Sequence, residues 1–327
     1  MTLLYVVIAL VVIFDFINGF HDSANSIATV VSTKVLSPLK AVTMAAFFNF
    51  AAVGIFSLNV ATTMGKGIVH PDVINLNVIA AALVAAIFWN ILTWWLGLPS
   101  SSSHTLVGGL VGATLVKAGE SAIVTAGVWK VVAFIFISPL LGMVLSYFIS
   151  IILLNIFKKF TPTKIDKWFR RIQLFSASAF SLGHGGNDAQ KSMGIIWVAL
   201  IVTGNAVSSQ PIPMWIVFTC YTAISLGTLF GGWRIIKTMG QKISKLKPVE
   251  GVCAETAGSI ALYTATELGI PVSTTHTITG AIIGTGLRKG LQSIKWNVSA
   301  KILWAWLLTI PVSGLIGAGV YLILNLL

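Results

Sequence analysis

Long apolar runs alternate along the chain with short polar ones. Leu3 to Phe16 is apolar apart from Asp15 and leads into Asn18-Gly19-Phe20-His21-Asp22-Ser23-Ala24-Asn25, after which the chain is apolar again through Val31. Val42 to Leu58 and Val78 to Trp95 are two further apolar runs, separated by a polar connection from Thr62 to Asn75. Leu106 to Val116 is a shorter run that follows Pro99-Ser100-Ser101-Ser102-Ser103-His104-Thr105, and Val131 to Phe157 is a long one with Pro139 inside it. The plan then recurs. Ile172 to Leu182 leads into Gly183-His184-Gly185-Gly186-Asn187-Asp188-Ala189-Gln190-Lys191, and Ile195 to Val202 completes that run. Trp215 to Phe230 and Val252 to Leu268 follow, then Pro271-Val272-Ser273-Thr274-Thr275-His276-Thr277, and finally Ile302 to Leu326.

Runs of about 20 apolar residues have the length of a helical membrane span. The two-residue alternation of barrel strands is absent, and in hydrocarbon an open strand cannot satisfy its backbone, so the spans are helices. The stretches at 18–25 and 183–191 are too polar to face lipid. They predict either loops or the breaks of discontinuous helices buried in protein. The run after Pro99 is too short to cross alone and predicts a re-entrant hairpin or a half-helix, as does its copy after Pro271. The expected architecture is an all-α polytopic membrane protein of about 10–12 membrane segments. Two inverted-topology repeats are expected, each with a broken helix and a re-entrant helical hairpin.

Charge supports this reading. Only 9% of the 327 residues are charged, mean hydropathy is +0.92, and the net charge is +12. A soluble domain carries about a quarter charged residues. The cations cluster between spans, so they report the cytoplasmic side and not a nucleic-acid surface. Lys158, Lys159, Lys164, Lys167, Arg170 and Arg171 stand against the single Asp166. They divide the chain into a first transmembrane repeat (1–157), a basic cytoplasmic linker (158–171) and a second repeat (172–327). Lys34 and Lys40 follow the first polar stretch, whereas the connection at 204–213 after the second is uncharged, which points to opposite orientations of the halves. Arg288, Lys289 and Lys295 then fall outside as a local exception. The N-terminus has no basic leader and reads as the first span. Cys220 and Cys253 form no disulfide or metal framework.

Four segments carry candidate chemistry. A helix N-terminus offers unpaired N–H groups and the positive end of a dipole, which suits an oxyanion. Hydroxyls of Ser101, Ser102, Ser103, Thr105, Ser273, Thr274, Thr275 and Thr277 add donors, with simple N-capping as the structural alternative. Gly108/Gly112 and Gly280/Gly284, four apart, predict close helix packing. Asp22 with Asn25, and Asp188 with Lys191, are spaced three apart and share a helix face. A carboxylate in a membrane is expensive, and beside an anion it repels the substrate. Asp22, Asn25, Asn187 and Asp188, with the mid-span Glu255, are therefore expected to hold a coupling cation, H+ or Na+, and Lys191 to neutralise Asp188 or meet the anion, with a purely structural buried Asp–Lys pair as the alternative. No metal beyond Na+ is expected, since His-Glu-x-x-His and paired-Cys spacings are missing. His21, His104, His184 and His276 read as hydrogen-bonded structural histidines, with proton transfer second. Asp15 is ambiguous.

The segments Gly19-Phe20-His21-Asp22-Ser23-Ala24-Asn25 and Gly185-Gly186-Asn187-Asp188-Ala189-Gln190-Lys191, with the two Pro-x-Ser-x-x-His-Thr stretches, resemble the inorganic phosphate transporter (Pit) family. The resemblance spans both halves. It implies a secondary symporter of inorganic phosphate with H+ or Na+ across the cytoplasmic membrane by alternating access, not an enzyme. It also implies a homodimer in the lipid bilayer and, in some bacterial members, phosphate carried as a metal-phosphate complex. Relatives that carry sulfate leave a sulfate symporter open. An anion channel is the alternative of another class, and a membrane-embedded hydrolase has no nucleophile–base spacing to support it.

Overall fold

Two glycines end two helices in the same way and set the frame. Gly97 and Gly269 both adopt a left-handed backbone (φ 67° and 64°). After each, the next amide reaches back to a carbonyl five residues earlier, Leu98 to Thr93 and Ile270 to Ala265. This glycine cap needs no Cβ and is followed by proline, which cannot continue a helix. The chain therefore stops, turns through Pro99 or Pro271, and restarts as a second helix capped by serine.

The computed structural model describes Thr2–Leu326, with the side chains of residues 65 and 66 outside that description. Its helices are α1 (Thr2–Ser32), α2 (Pro38–Ala51), α3 (Asn59–Lys66), α4 (Leu76–Leu96), α5 (Ser102–Ala118) and α6 (Thr125–Phe157). They are followed by α7 (Pro162–Val202), α8 (Met214–Phe230), α9 (Trp233–Lys237, extended by a wider turn Thr238–Lys242), α10 (Pro248–Glu267), α11 (Thr274–Leu287) and α12 (Trp296–Leu326). No strand occurs among the described residues beyond two isolated bridges, Val69 with Ile123 and Ser244 with Ile294. The second six helices repeat the first six.

Helix pairing respects the repeat. The hairpin helix α5 packs on α12 and α11 packs on α6, so each hairpin is clasped by the last helix of the other half. Likewise α1 packs on α8 and α7 on α2. The four-apart glycines make the clasp possible. A Cβ on Gly112 would lie 1.9 Å from the Gly314 carbonyl oxygen, and one on Gly280 2.0 Å from that of Pro139. The core helices α1 and α7 run antiparallel. Asp15 bonds Ser192 near one end and Thr33 bonds Gln173 near the other. Their basic ends, Lys34 and Lys164–Arg171, therefore lie on the same side. Equivalent helices of opposite direction make the two repeats inverted.

One expectation is corrected in location. The polar stretches at 18–25 and 183–191 do not break their helices; α1 and α7 run through them without interruption. Residues 21–30 and 183–200 are all buried, so their polar side chains meet protein and the helical backbone can stay intact. The broken helices lie elsewhere, between α2 and α3 (residues 52–58) and at Gly231-Gly232, where α8 and α9 meet at 62°. The polar stretches serve those breaks across the repeat. Gln190 on α7 accepts from the amides of Val60 and Ala61 at 3.1 and 3.3 Å and donates to the Ser57 carbonyl. Ser23 on α1 accepts from the Gly232 amide. Each core helix thus satisfies the freed backbone of the other half.

The basic linker is also mostly helix, because α7 starts at Pro162, a favoured first helical position. At 41 residues α7 is about 60 Å long, twice a bilayer core, so its basic end projects beyond it. By length and hydropathy α1, α4, α6 and α12 qualify as spans, and the bent pair α8–α9 qualifies jointly. Helices α6 and α12 bury few of their residues, so they meet lipid.

Candidate substrate and cation site

Four buried segments converge where α1 and α7 cross the starts of α5 and α11. Ser101 is the N-cap of α5 and accepts from the His104 amide at 3.3 Å. Ser273 is the N-cap of α11 and accepts from the His276 amide at 3.2 Å. Thr105 donates back to the Ser102 carbonyl at 2.6 Å, and Thr277 to the Ser273 carbonyl at 2.9 Å. Four of the eight expected hydroxyls therefore build the helix starts themselves. Ser102 has no partner for its hydroxyl, and Ser103, Thr274 and Thr275 face the neighbouring helices.

Lys191 ties the two starts together. Its ammonium donates to Asp188 Oδ1 at 2.5 Å, to Ser103 Oγ at 2.5 Å and to the Val272 carbonyl at 2.9 Å. Asn25 donates to Thr274 and Thr275 at 3.2 and 2.9 Å. Those hydroxyls reach Asp188 and Asp22 in turn, each at 3.4 Å. Every one of these side chains is under 5% exposed. The site is closed to solvent on both sides.

An imidazole stands beside the two acids. Polar atoms of Asp22, His184 and Asp188 lie within 4.8 Å of one another. His184 Nδ1 is 3.2 Å from Asn49 Oδ1, and Asn49 uses its amide to donate to Thr228. Nδ1 therefore donates to Asn49, and Nε2 lies 3.4 Å from Asp188 Oδ2. Two carboxylates and an imidazole this close together are groups that can hold a cation. His184 meets the expectation of a hydrogen-bonded histidine through Asn49. His21 meets the expectation of a hydrogen-bonded histidine, with Nδ1 2.7 Å from Asp22 and Nε2 3.1 Å from Thr93.

Other expected residues lie elsewhere. Asn187 donates to Thr266 at 3.0 Å and to the Ile270 carbonyl at 3.4 Å; it faces α10 and not the acids. Glu255 is held by Gln173 at 2.9 Å and by Ser176, and Gln173 is held by Thr33. That is a separate buried network toward the basic ends of α1 and α7. Asp15 lies two turns from Asp22 in the opposite direction, bonded by Ser192 at 2.6 Å. His104 and His276 depart from expectation. Neither ring makes a side-chain hydrogen bond; they meet edge-on at 4.8 Å, and His276 stacks on Trp306 at 3.9 Å. They pack the two helix starts against each other.

Comparison with known proteins is consistent across the chain. A "probable low-affinity inorganic phosphate transporter" of Rhizobium meliloti (strain 1021) is 54% identical over 98% of this chain and 96% of its own. A protein of the same description from Bacillus subtilis (strain 168) is 45% identical over 100% and 98%. A solved structure described as "the sodium-dependent phosphate transporter" superposes with a TM-score of 0.89 at 26% identity, covering both chains fully. These relatives are transporters, not enzymes. The family model described as the phosphate transporter family matches residues 18–317, and with it the polar stretches, both serine-capped helix starts and their clasping helices, so this chain is a multi-pass membrane protein belonging to that family.

Proposed function

We propose that the protein imports inorganic phosphate across the cytoplasmic membrane by alternating access, in symport with H+ or Na+. The carrying observation is the Asp22–His184–Asp188 cluster beside the two serine-capped helix starts. Two carboxylates face one lysine there, an excess of acid that repels an anion at close range. A cation at the cluster cancels that repulsion, and phosphate is then held by helix N-termini, hydroxyls and Lys191. Substrate affinity thus depends on the cation, which is what symport requires.

Phosphate is held by Ser102, Ser103, Thr274, Thr275 and Lys191. Ser101, Thr105, Ser273 and Thr277 hold the helix starts in shape. Asp22, Asp188 and His184 hold the cation, with Asn25 and Asn187 orienting the neighbouring hydroxyls and helix. Glu255 with Gln173 and Ser176 is a second cation position toward the cytoplasm. The same donor set of two carboxylates and an imidazole also accommodates a divalent ion arriving with its phosphate. The repeats are residues 1–157 and 172–327, joined at 158–171.

The test is uptake of labelled phosphate into liposomes with a sodium gradient and a pH gradient imposed separately. Asp22→Asn is expected to abolish gradient-driven uptake by a protein that remains monodisperse. Undiminished, gradient-driven uptake by that variant would sink the cation assignment.

A further inference from the structure

The basic end of α7 carries a feature that transport at the central site does not use. Between the end of α6 and the first turns of α7 lies an open cleft lined by Phe157, Phe160 and Trp168 together with Lys164, Lys167 and Arg171. Lys164, Trp168 and Arg171 are spaced four and three apart and share one helix face, with Lys167 beside them. The rings are in contact, Phe157 with Phe160 at 5.6 Å and Phe160 with Trp168 at 6.3 Å between centroids. Trp168 is nevertheless 56% exposed and Phe160 47%. Asp166, the acid of this segment, is taken by Arg170 at 2.8 Å. The three cleft cations have no acidic partner among the described residues.

Depth is set by the next turn. Phe175 is 77% exposed although strongly apolar, so it lies in hydrocarbon. Arg171 precedes it by four residues, about 6 Å along the helix, which puts the cleft at headgroup level. The clustered cations put it on the cytoplasmic side.

We propose that this cleft binds the headgroup of an anionic phospholipid of the cytoplasmic leaflet. Lys164, Lys167 and Arg171 take the phosphate, and Phe157, Phe160 and Trp168 take the glycerol and first methylenes. Half the cleft is cationic and half aromatic, and an amphiphile uses both halves. A free phosphate ion, fully hydrated, gains nothing from the aromatic wall. The bound lipid anchors the end of the helix that carries His184, Asp188 and Lys191.

The full chain, purified in detergent and placed in phosphatidylcholine nanodiscs titrated with phosphatidylglycerol, provides the test. Native mass spectrometry is expected to find phosphatidylglycerol retained by the wild type. Retention by K164Q/K167Q/R171Q is expected to fall roughly a hundredfold, from three cations at a membrane surface. Should the triple variant not fold, Lys167→Gln and Arg171→Gln separately are each expected to weaken retention several-fold. Equal retention in wild type and variants overturns the proposal. So does displacement of the lipid by excess inorganic phosphate, which marks a free-anion site. The lipid readout involves no uptake, so failure of the transport reading would leave it standing.

Discussion

Lys191 makes three contacts, to Asp188, Ser103 and the Val272 carbonyl, and so connects α7 to the starts of both hairpin helices. Lys191→Met leaves Asp188 buried without its cation. Removing one partner of a buried pair typically costs about 3–5 kcal/mol. The variant is expected to melt at markedly lower temperature in detergent, and an unchanged melting curve would remove Lys191 from its bridging role. The hydroxyls divide by what they touch. Ser101→Ala and Ser273→Ala remove N-caps and are expected to cost about 1 kcal/mol of stability each with little change in the phosphate KM. Ser103→Ala is expected to raise KM with little change in stability. The reverse pattern would mean that the capping serines, not Ser103, touch the substrate. The polar residues were legible as individuals because a buried charge in a membrane needs a reason. The placement of the His184 ring was not, because it is set by Asn49 from a helix 135 residues away in sequence.

Elements show a different kind of legibility. The hairpins announced themselves by Gly, Pro and Ser in register, since those residues carry backbone geometry directly: a left-handed cap, a helix stop and an N-cap. The broken helices did not. Polar content at 18–25 and 183–191 implied freed backbone there, yet the freed backbone belongs to α2–α3 and α8–α9, which Gln190 and Ser23 satisfy across the repeat. A polar residue in hydrocarbon signals that something needs a partner without saying which backbone does. Packing at this scale depends on glycine. Gly112→Ala and Gly280→Ala place a methyl within 2.0 Å of a carbonyl oxygen on α12 or α6. Overpacking of this kind costs typically 1–3 kcal/mol or more. Both variants are expected to yield much less monodisperse protein, whereas Gly319→Ala, with open space around it, is expected to be neutral. Comparable yields for all three would contradict the clasp.

For the whole molecule, antiparallel α1 and α7 put Lys34 and Lys164 on one side of the membrane. Single cysteines at these positions, in a background with Cys220 and Cys253 replaced, are expected to react with an impermeant maleimide from the same face in right-side-out and inside-out vesicles. Labelling from opposite faces would contradict the inverted arrangement. With every residue of the central cluster buried, the molecule is closed around its site, so alternating access requires the two hairpins and their clasping helices to part on one side at a time.

The sequence alone determined the class, the repeat and the chemical inventory. Apolar run length, charge placement and duplicated turn residues act locally, and each leaves its mark in consecutive positions. Tertiary structure alone decided how that inventory is divided. It sent Glu255 and Asn187 away from the acids, set His104 edge-on against His276 and brought His184 together with Asp22 and Asp188. The last of these follows from the antiparallel crossing of α1 and α7, which joins Asp22 to residues more than 160 positions away, and no local pattern encodes such a crossing.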